Sequence, residues 1–167
     1  YLFAARERGV IFDVGHGEGS FVFRNAVPSI EQGFWPDTIS SDLHTSSMNG
    51  PMMDLPTVMS KFLAMGMPLK AVIEAATVRP AQVIGRPDLG HLTVGAVADL
   101  AAFNLLQGKF GFCDAGMGKL EGSRRLFNEL TIKDGRVVWD WNARTAVDYR
   151  KLGSSYGVRE VDEIVYP

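Results

Sequence analysis

Val10-Ile11-Phe12-Asp13-Val14-Gly15-His16-Gly17, followed after a connecting segment by Pro36-Asp37-Thr38-Ile39-Ser40-Ser41-Asp42-Leu43-His44, is the stretch from which the fold is read. Each half is a short β-branched run that stops at a polar cluster holding a His or an Asp. Buried parallel strands look like this when they deliver side chains to a catalytic face at their carboxyl ends. The interval from His16 to Asp42 matches one βαβ repeat of roughly 30 residues. The two polar residues therefore fall at equivalent positions after consecutive parallel strands. The connecting segment, 20–32, carries a short helix that is expected to start late, because Pro28 is tolerated only near a first turn.

A carboxylate at the end of a buried strand has to be paired, hydrogen-bonded or metal-bound. Asp42 can therefore be a metal-bound catalytic group, or it can cap the following loop through backbone N–H groups. His16 lies between two glycines that let backbone approach a ligand closely, so it reads either as a ligand-contacting imidazole or as a turn histidine. His44 follows Asp42 by two positions, which in extended backbone sends both side chains the same way. Solvent exposure is its alternative. His91 lies far along the chain and reads as structural.

Downstream, residues 44–53 form a loop rich in Ser, Thr, Asn, Gly and Met. Asp54 is suited to cap a helix over 55–65, with Pro56 in its first turn and Gly66 beyond its end. Leu55, Val58, Met59, Phe62 and Leu63 repeat at helical spacing and mark its buried face. Pro68 starts a second helix running to about Thr77, and Pro80 opens one more turn. The methionines near this region are not spaced as ligands and read as packing. After Arg86 the pattern turns to short strands at 90–95 and 99–104. A long loop over 107–123 is expected from its five glycines. Asp134-Gly135 joins two strands in the strongest short hairpin signal, a type I′ turn. The organisation is a helix-rich part over 1–86, a small β domain over 87–141 and a polar extension over 142–167.

Gross composition excludes several classes. A net charge of −2 over 167 residues gives no electrostatic case for nucleic acid or an anionic membrane. No apolar run approaches the roughly 20 residues of a bilayer span. Arg6, Glu7 and Arg8 interrupt the one N-terminal apolar run, so no signal peptide is visible. Cys113 is the only cysteine; a reducing, cytoplasmic compartment is the expected setting. The glycines at 15, 17 and 19 lack the Gly-Lys-Ser/Thr ending of a phosphate loop, and no nucleophile elbow is present. The chain opens at Tyr1 without methionine, and its first strand has almost nothing before it to pair with, so a fragment is expected.

Three stretches together resemble the amidohydrolase superfamily of metalloenzymes, in its dihydroorotase-like or amidohydrolase/deacetylase branch. They are Phe12–Gly17 with Ser20-Phe21, Gly33-Phe34 with Pro36–His44, and Ala75-Ala76-Thr77 with Pro80-Ala81 through Gly90-His91-Leu92 to Val94–Leu100. The resemblance covers about residues 9–141 and implies the C-terminal part of such an enzyme. What it implies is an α/β fold consisting of the last two βα units of a (β/α)8 TIM barrel plus a small β-sandwich. Val10–Val14 would be strand seven and Thr38–Ser41 strand eight. Asp42 would be the strand-eight aspartate that ligates a metal and shuttles a proton. The family's histidine ligands come from other strands, so His16 falls to the substrate-contacting shell, with metal ligation as the alternative. Gly17, His44, Asn49 and Gly50 join it there, on the loop over 45–53 that would close over substrate. The expected cofactor is a divalent metal, zinc foremost, as one or two ions. The family's His-x-His pair, bridging lysine and two further histidines are absent from this chain, so its 167 residues alone are expected to be inert. The implied activity is hydrolysis of an amide or related acyl bond in a small molecule, in a parent protein that could form homo-oligomers. The alternatives are a non-catalytic barrel used for binding or assembly, and a heterocycle deaminase of the same superfamily.

Overall fold

The computed structural model describes residues 1–48 and 50–157. It begins with a short helix, α1 (Leu2–Glu7), and a strand, β1 (Asp13–Gly15). Helix α2 (Phe23–Glu31) carries the chain over to β2 (Thr38–Ser40), which pairs parallel with β1 in the register Asp13↔Thr38, Val14↔Ile39, Gly15↔Ser40. This is the expected βαβ unit, with β1 starting three residues later than its apolar run. Pro28 lies inside α2 rather than in its first turn. A proline there removes one backbone bond, the one that the Arg24 carbonyl would accept, and Arg24 is exposed, where water can serve.

Helix α1 is fastened to the entry of both strands by Arg6. Its guanidinium donates to the Trp35 carbonyl, reaches Asp37 Oδ2 at 3.4 Å and lies over the Phe34 ring at 4.1 Å. Asp37 in turn accepts from the Phe12 amide at 2.9 Å.

Three helices follow: α3 (Leu55–Ala64), α4 (Leu69–Ala76) and α5 (Val78–Val83). Asp54 Oδ1 accepts from the Thr57 amide at 2.7 Å, the capping bond foreseen from sequence, and Gly66 ends α3 with φ near 100°. Helix α3 is the centre of the molecule. Val58, Phe62 and Leu63 are buried with Ile39 of β2, Val72 of α4, and Phe112 and Leu126 of the following sheet. Met52, Met59, Met65 and Met67 belong to this same core, as their irregular spacing implied.

The C-terminal part is a three-stranded antiparallel meander, β3 (Leu100–Cys113), β4 (Lys119–Lys133) and β5 (Arg136–Asp140). The turn at Asp134-Gly135 has φ near 50° and 75°, as a type I′ turn requires. Two expectations are corrected. The strands foreseen over 90–95 are turns, and the glycine-rich loop over 107–123 is instead the end of β3, a tight turn and the start of β4. Glycine serves close approach here rather than looseness: a Cβ on Gly122 would sit 2.8 Å from Ala64 Cβ on α3. The three strands β3, β4 and β5 form one antiparallel sheet, and α3 covers its inner face, with the Leu126 amide donating to Ser60 Oγ at 2.9 Å.

Asp114 closes the β3–β4 turn and ties it to the parallel pair. Its carboxylate accepts from the amides of Gly116 at 2.9 Å and Gly118 at 2.7 Å, and from Phe23 at the start of α2 at 2.8 Å. Burial pushes its pKa upward, but the three amides and the nearby Lys61 ammonium outweigh that and hold it below the usual range. Helix α2 thereby receives the N-terminal acceptor that its own Val22 cannot supply. Residues 141–157 are exposed, yet Asn142 and Arg144 fold back onto the buried Glu129 carboxylate.

Candidate active site

Pairing between the parallel strands continues past their ends. The His16 amide donates to the Ser40 carbonyl at 3.4 Å and the Gly17 amide to the Ser41 carbonyl at 3.1 Å. This lays the Gly15–Gly17 turn directly beside Asp42. Asp42 has φ 52°, left-handed backbone that Asp and Asn tolerate better than most residues. Its side chain rests against the turn so closely that a Cβ on Gly17 would lie 2.6 Å from Asp42 Oδ2. Gly17 itself has φ 50°, so two independent constraints call for glycine there. The Asp42 carboxylate is exposed and accepts no hydrogen bond among the described residues. The capping alternative is therefore not what it does.

His44 is exposed, and its Nδ1 lies 2.8 Å from the Asp42 carbonyl oxygen and 3.1 Å from Ser47 Oγ. A carbonyl can only accept, so Nδ1 is the donor in this network. The loop after it is built of turns, with the Ser47 amide donating to the His44 carbonyl and the Gly50 amide to the Ser47 carbonyl, each at 2.9 Å. Gly50 fits tightly, since a Cβ would come 3.1 Å from the Ser47 oxygen. Asn49, expected to contact substrate, lies outside the described residues.

His16 is placed differently from the expectation. It is 0% exposed, and its ring stacks on Phe21 with centroids 4.6 Å apart. Nδ1 donates to the Gly17 carbonyl at 2.9 Å, and Nε2 lies 2.7 Å from Lys61 Nζ. Both ring nitrogens are engaged within the protein, so here the ring acts as a buried turn histidine. Burial lowers its pKa first, the Lys61 charge adds to that, and the Gly17 carbonyl opposes them.

Lys61 is the residue that reading for chemistry passed over. It is a lysine 0% exposed in the middle of α3. Besides His16 Nε2, its Nζ donates to the carbonyls of Pro51 and Cys113, each at 2.6 Å. The three donors of an ammonium thus meet three acceptors. A signal was available: Val58, Lys61, Phe62 and Met65 follow i, i+3, i+4, i+7, which puts the lysine on the buried stripe. Burial pulls its pKa from 10.5 down to about 8, against the opposing pull of Cys113 and Asp114. Between those two values the unfolded chain binds more protons than the folded one, so stability contributed by this group rises with pH. Denaturant unfolding of the wild type and Lys61→Met should show the difference shifting in favour of the wild type from pH 8 to about 10.5. A pH-independent difference would contradict the depressed pKa.

Among the described residues no three His, Cys, Asp or Glu side chains gather as a metal set. Asp42 offers a free carboxylate, a donor that zinc accepts, and at least three more ligands are needed to complete about four. The chemistry fits a partial metal site.

Several known proteins resemble this chain. A deacetylase of Brucella anthropi is 43% identical over 130 residues, covering 75% of this chain and 32% of its own length. The crystal structure of a dihydroorotase superposes with a TM-score of 0.74 at 37% identity, covering 81% of this chain and 38% of the other. The crystal structure of an adenine deaminase superposes with a TM-score of 0.77 at 30% identity, over 83% of this chain and 38% of the other. The chain thus spans about a third of the length of the curated relative it matches. The profile of the amidohydrolase family matches residues 20–138, most of the chain, and the protein belongs to that family.

Proposed function

We propose that this chain forms one wall of a metal-dependent active site that hydrolyses an amide or related acyl bond in a small molecule. The observation that carries this is Asp42, a carboxylate without a hydrogen-bond partner among the described residues, held at the carboxyl end of a parallel strand. In this reading β1 and β2 are the last two strands of a (β/α)8 barrel, supported by their parallel pairing through α2. The remaining metal ligands lie in the part of the family domain that this chain does not span. A divalent metal, zinc foremost, would polarise the scissile carbonyl and make water nucleophilic near neutral pH. Asp42 would help hold it, accept the proton of the attacking water and deliver that proton to the leaving nitrogen. His44 stands beside Asp42 with Nε2 available to hydrogen-bond substrate, Gly17 leaves the space in which the Asp42 carboxylate lies, and Gly50 lies on the loop that would close over substrate. A reducing compartment such as the cytoplasm suits a chain with Cys113 as its one cysteine.

Deamination of a heterocycle is the second reading, supported by the adenine deaminase likeness. A panel of N-acetyl amino acids, O-acyl hydroxy acids, cyclic ureides and aminopurines separates the two when offered to a longer protein carrying this segment, with bound metal measured in parallel. Turnover of an acyl substrate with metal present is expected. Turnover confined to aminopurines would replace the first reading by the second, and a metal-free protein inert to the whole panel would remove both.

A further inference from the structure

We propose that Lys61 is a positioning residue for Asp42, acting through His16 and the Gly15–Gly17 turn on one side and the Pro51 carbonyl on the other. The inference rests on the reading of Asp42 given above. It begins from the cost of enclosing an ammonium group, which apolar side chains of similar size avoid. A lysine serving only as filler on the buried stripe of α3 could be a methionine, as its neighbours Met59 and Met65 are. Its three acceptors come instead from three segments that meet behind Asp42: the turn after β1, the loop after β2 and the end of β3.

The bond to His16 has a directional consequence. An ammonium can only donate, so Nε2 must accept and the ring proton is confined to Nδ1. Nδ1 then donates to the Gly17 carbonyl, which pins the turn against which the Asp42 carboxylate rests. The bond to Pro51 pins the far end of the loop that starts at His44. Without Lys61 the imidazole is free to take the other tautomer, the Gly17 carbonyl loses its donor in that form, and Asp42 loses its backing. Positioning groups behind metal ligands affect metal affinity or activity by roughly 10–100-fold.

The test compares Lys61→Met and Lys61→Arg with the wild type. In the 167-residue chain, nitrogen NMR of the His16 ring should show protonated Nδ1 and bare Nε2. Lys61→Met should yield mixed tautomers and move the Gly17 amide and Asp42 carboxyl signals, while Lys61→Arg keeps a donor and stays closer to wild type. In a metal-loaded longer protein, kcat on the best-cleaved panel substrate should fall about 10–100-fold in Lys61→Met with KM within about twofold, and Lys61→Arg should recover part of it. A folded Lys61→Met with unchanged His16, Gly17 and Asp42 signals and wild-type kcat would overturn the proposal. Should the methionine variant not fold, Lys61→Gln is read instead: kcat should follow the tautomer, near wild type where the Nδ1 proton is retained and reduced where the tautomers mix, and wild-type kcat with mixed tautomers would overturn the proposal. If Asp42→Asn were fully active while the NMR changes appeared, the catalytic reading would fail and the coupling of Lys61 to Asp42 would stand.

Discussion

Asp42→Asn should lower turnover by roughly 100- to 10,000-fold in a longer, metal-loaded protein carrying this segment, the range expected for losing a general acid–base group. Asparagine keeps the shape of the side chain and removes the charge and the proton affinity. Because the wild-type carboxylate has no hydrogen-bond partner among the described residues, few other bonds are disturbed by the exchange. Two contributions are then separable. If the loss came only from weaker metal binding, metal occupancy would fall with activity and excess metal would restore both. A proton-transfer role leaves turnover low at full occupancy. Wild-type turnover with unchanged metal content would defeat both roles together.

Phe62→Ala should destabilise the chain by about 3–5 kcal/mol, the usual cost of emptying a phenylalanine site in a core. Phe62 is 1% exposed at the centre of α3, 5.8 Å between centroids from Phe21, which itself backs the His16 ring. Domains of this kind have total stabilities of about 5–15 kcal/mol, so this single change removes a large part. Urea unfolding should show a lower midpoint with an unchanged slope. Leu92→Ala, at a side chain 79% exposed, is the control and should move stability by no more than about 0.5 kcal/mol. A loss below about 1 kcal/mol for Phe62→Ala would mean that the core closes over the gap and that α3 is not its centre.

The parallel pair was legible because period, β-branching and punctuation all agreed around Val10–Val14 and Thr38–Ser41. Helix α3 was legible from its Asp54 cap, Pro56 and Gly66, and the last hairpin from Asp134-Gly135. The 107–123 segment was misread because Gly108, Gly111 and Gly122 signal a loop locally. The reason for Gly122 is the approach of Ala64, which no local window contains. The β-sandwich was an implication of the family resemblance rather than a reading of local pattern, and β3, β4 and β5 form one antiparallel sheet packed on α3. At the site, Asp42 stands where strand order put it. Flanking glycines left His16 open between ligand contact and a turn histidine, and the family resemblance moved it to the substrate shell. What they permit here is the approach of Asp42 on one side, while Lys61 and Phe21 enclose the ring on the other. A lysine between Ser60 and Phe62 on an apolar stripe was a departure from pattern that could have been followed to His16.

The left-handed backbone at Asp42 also bears on how this position can change over generations. Lengthening the carboxylate to glutamate, the ordinary conservative exchange elsewhere, meets a conformation that favours Asn, Asp and Gly, and a side chain already in contact with Gly17. The exchanges that the backbone accepts most readily, Asn and Gly, are the ones that discard the charge. Drift at this residue therefore has no gradual route: it either retains aspartate or yields a correctly folded chain without a carboxylate at this position. Lineages that abandon catalysis while keeping the scaffold should show asparagine or glycine here first.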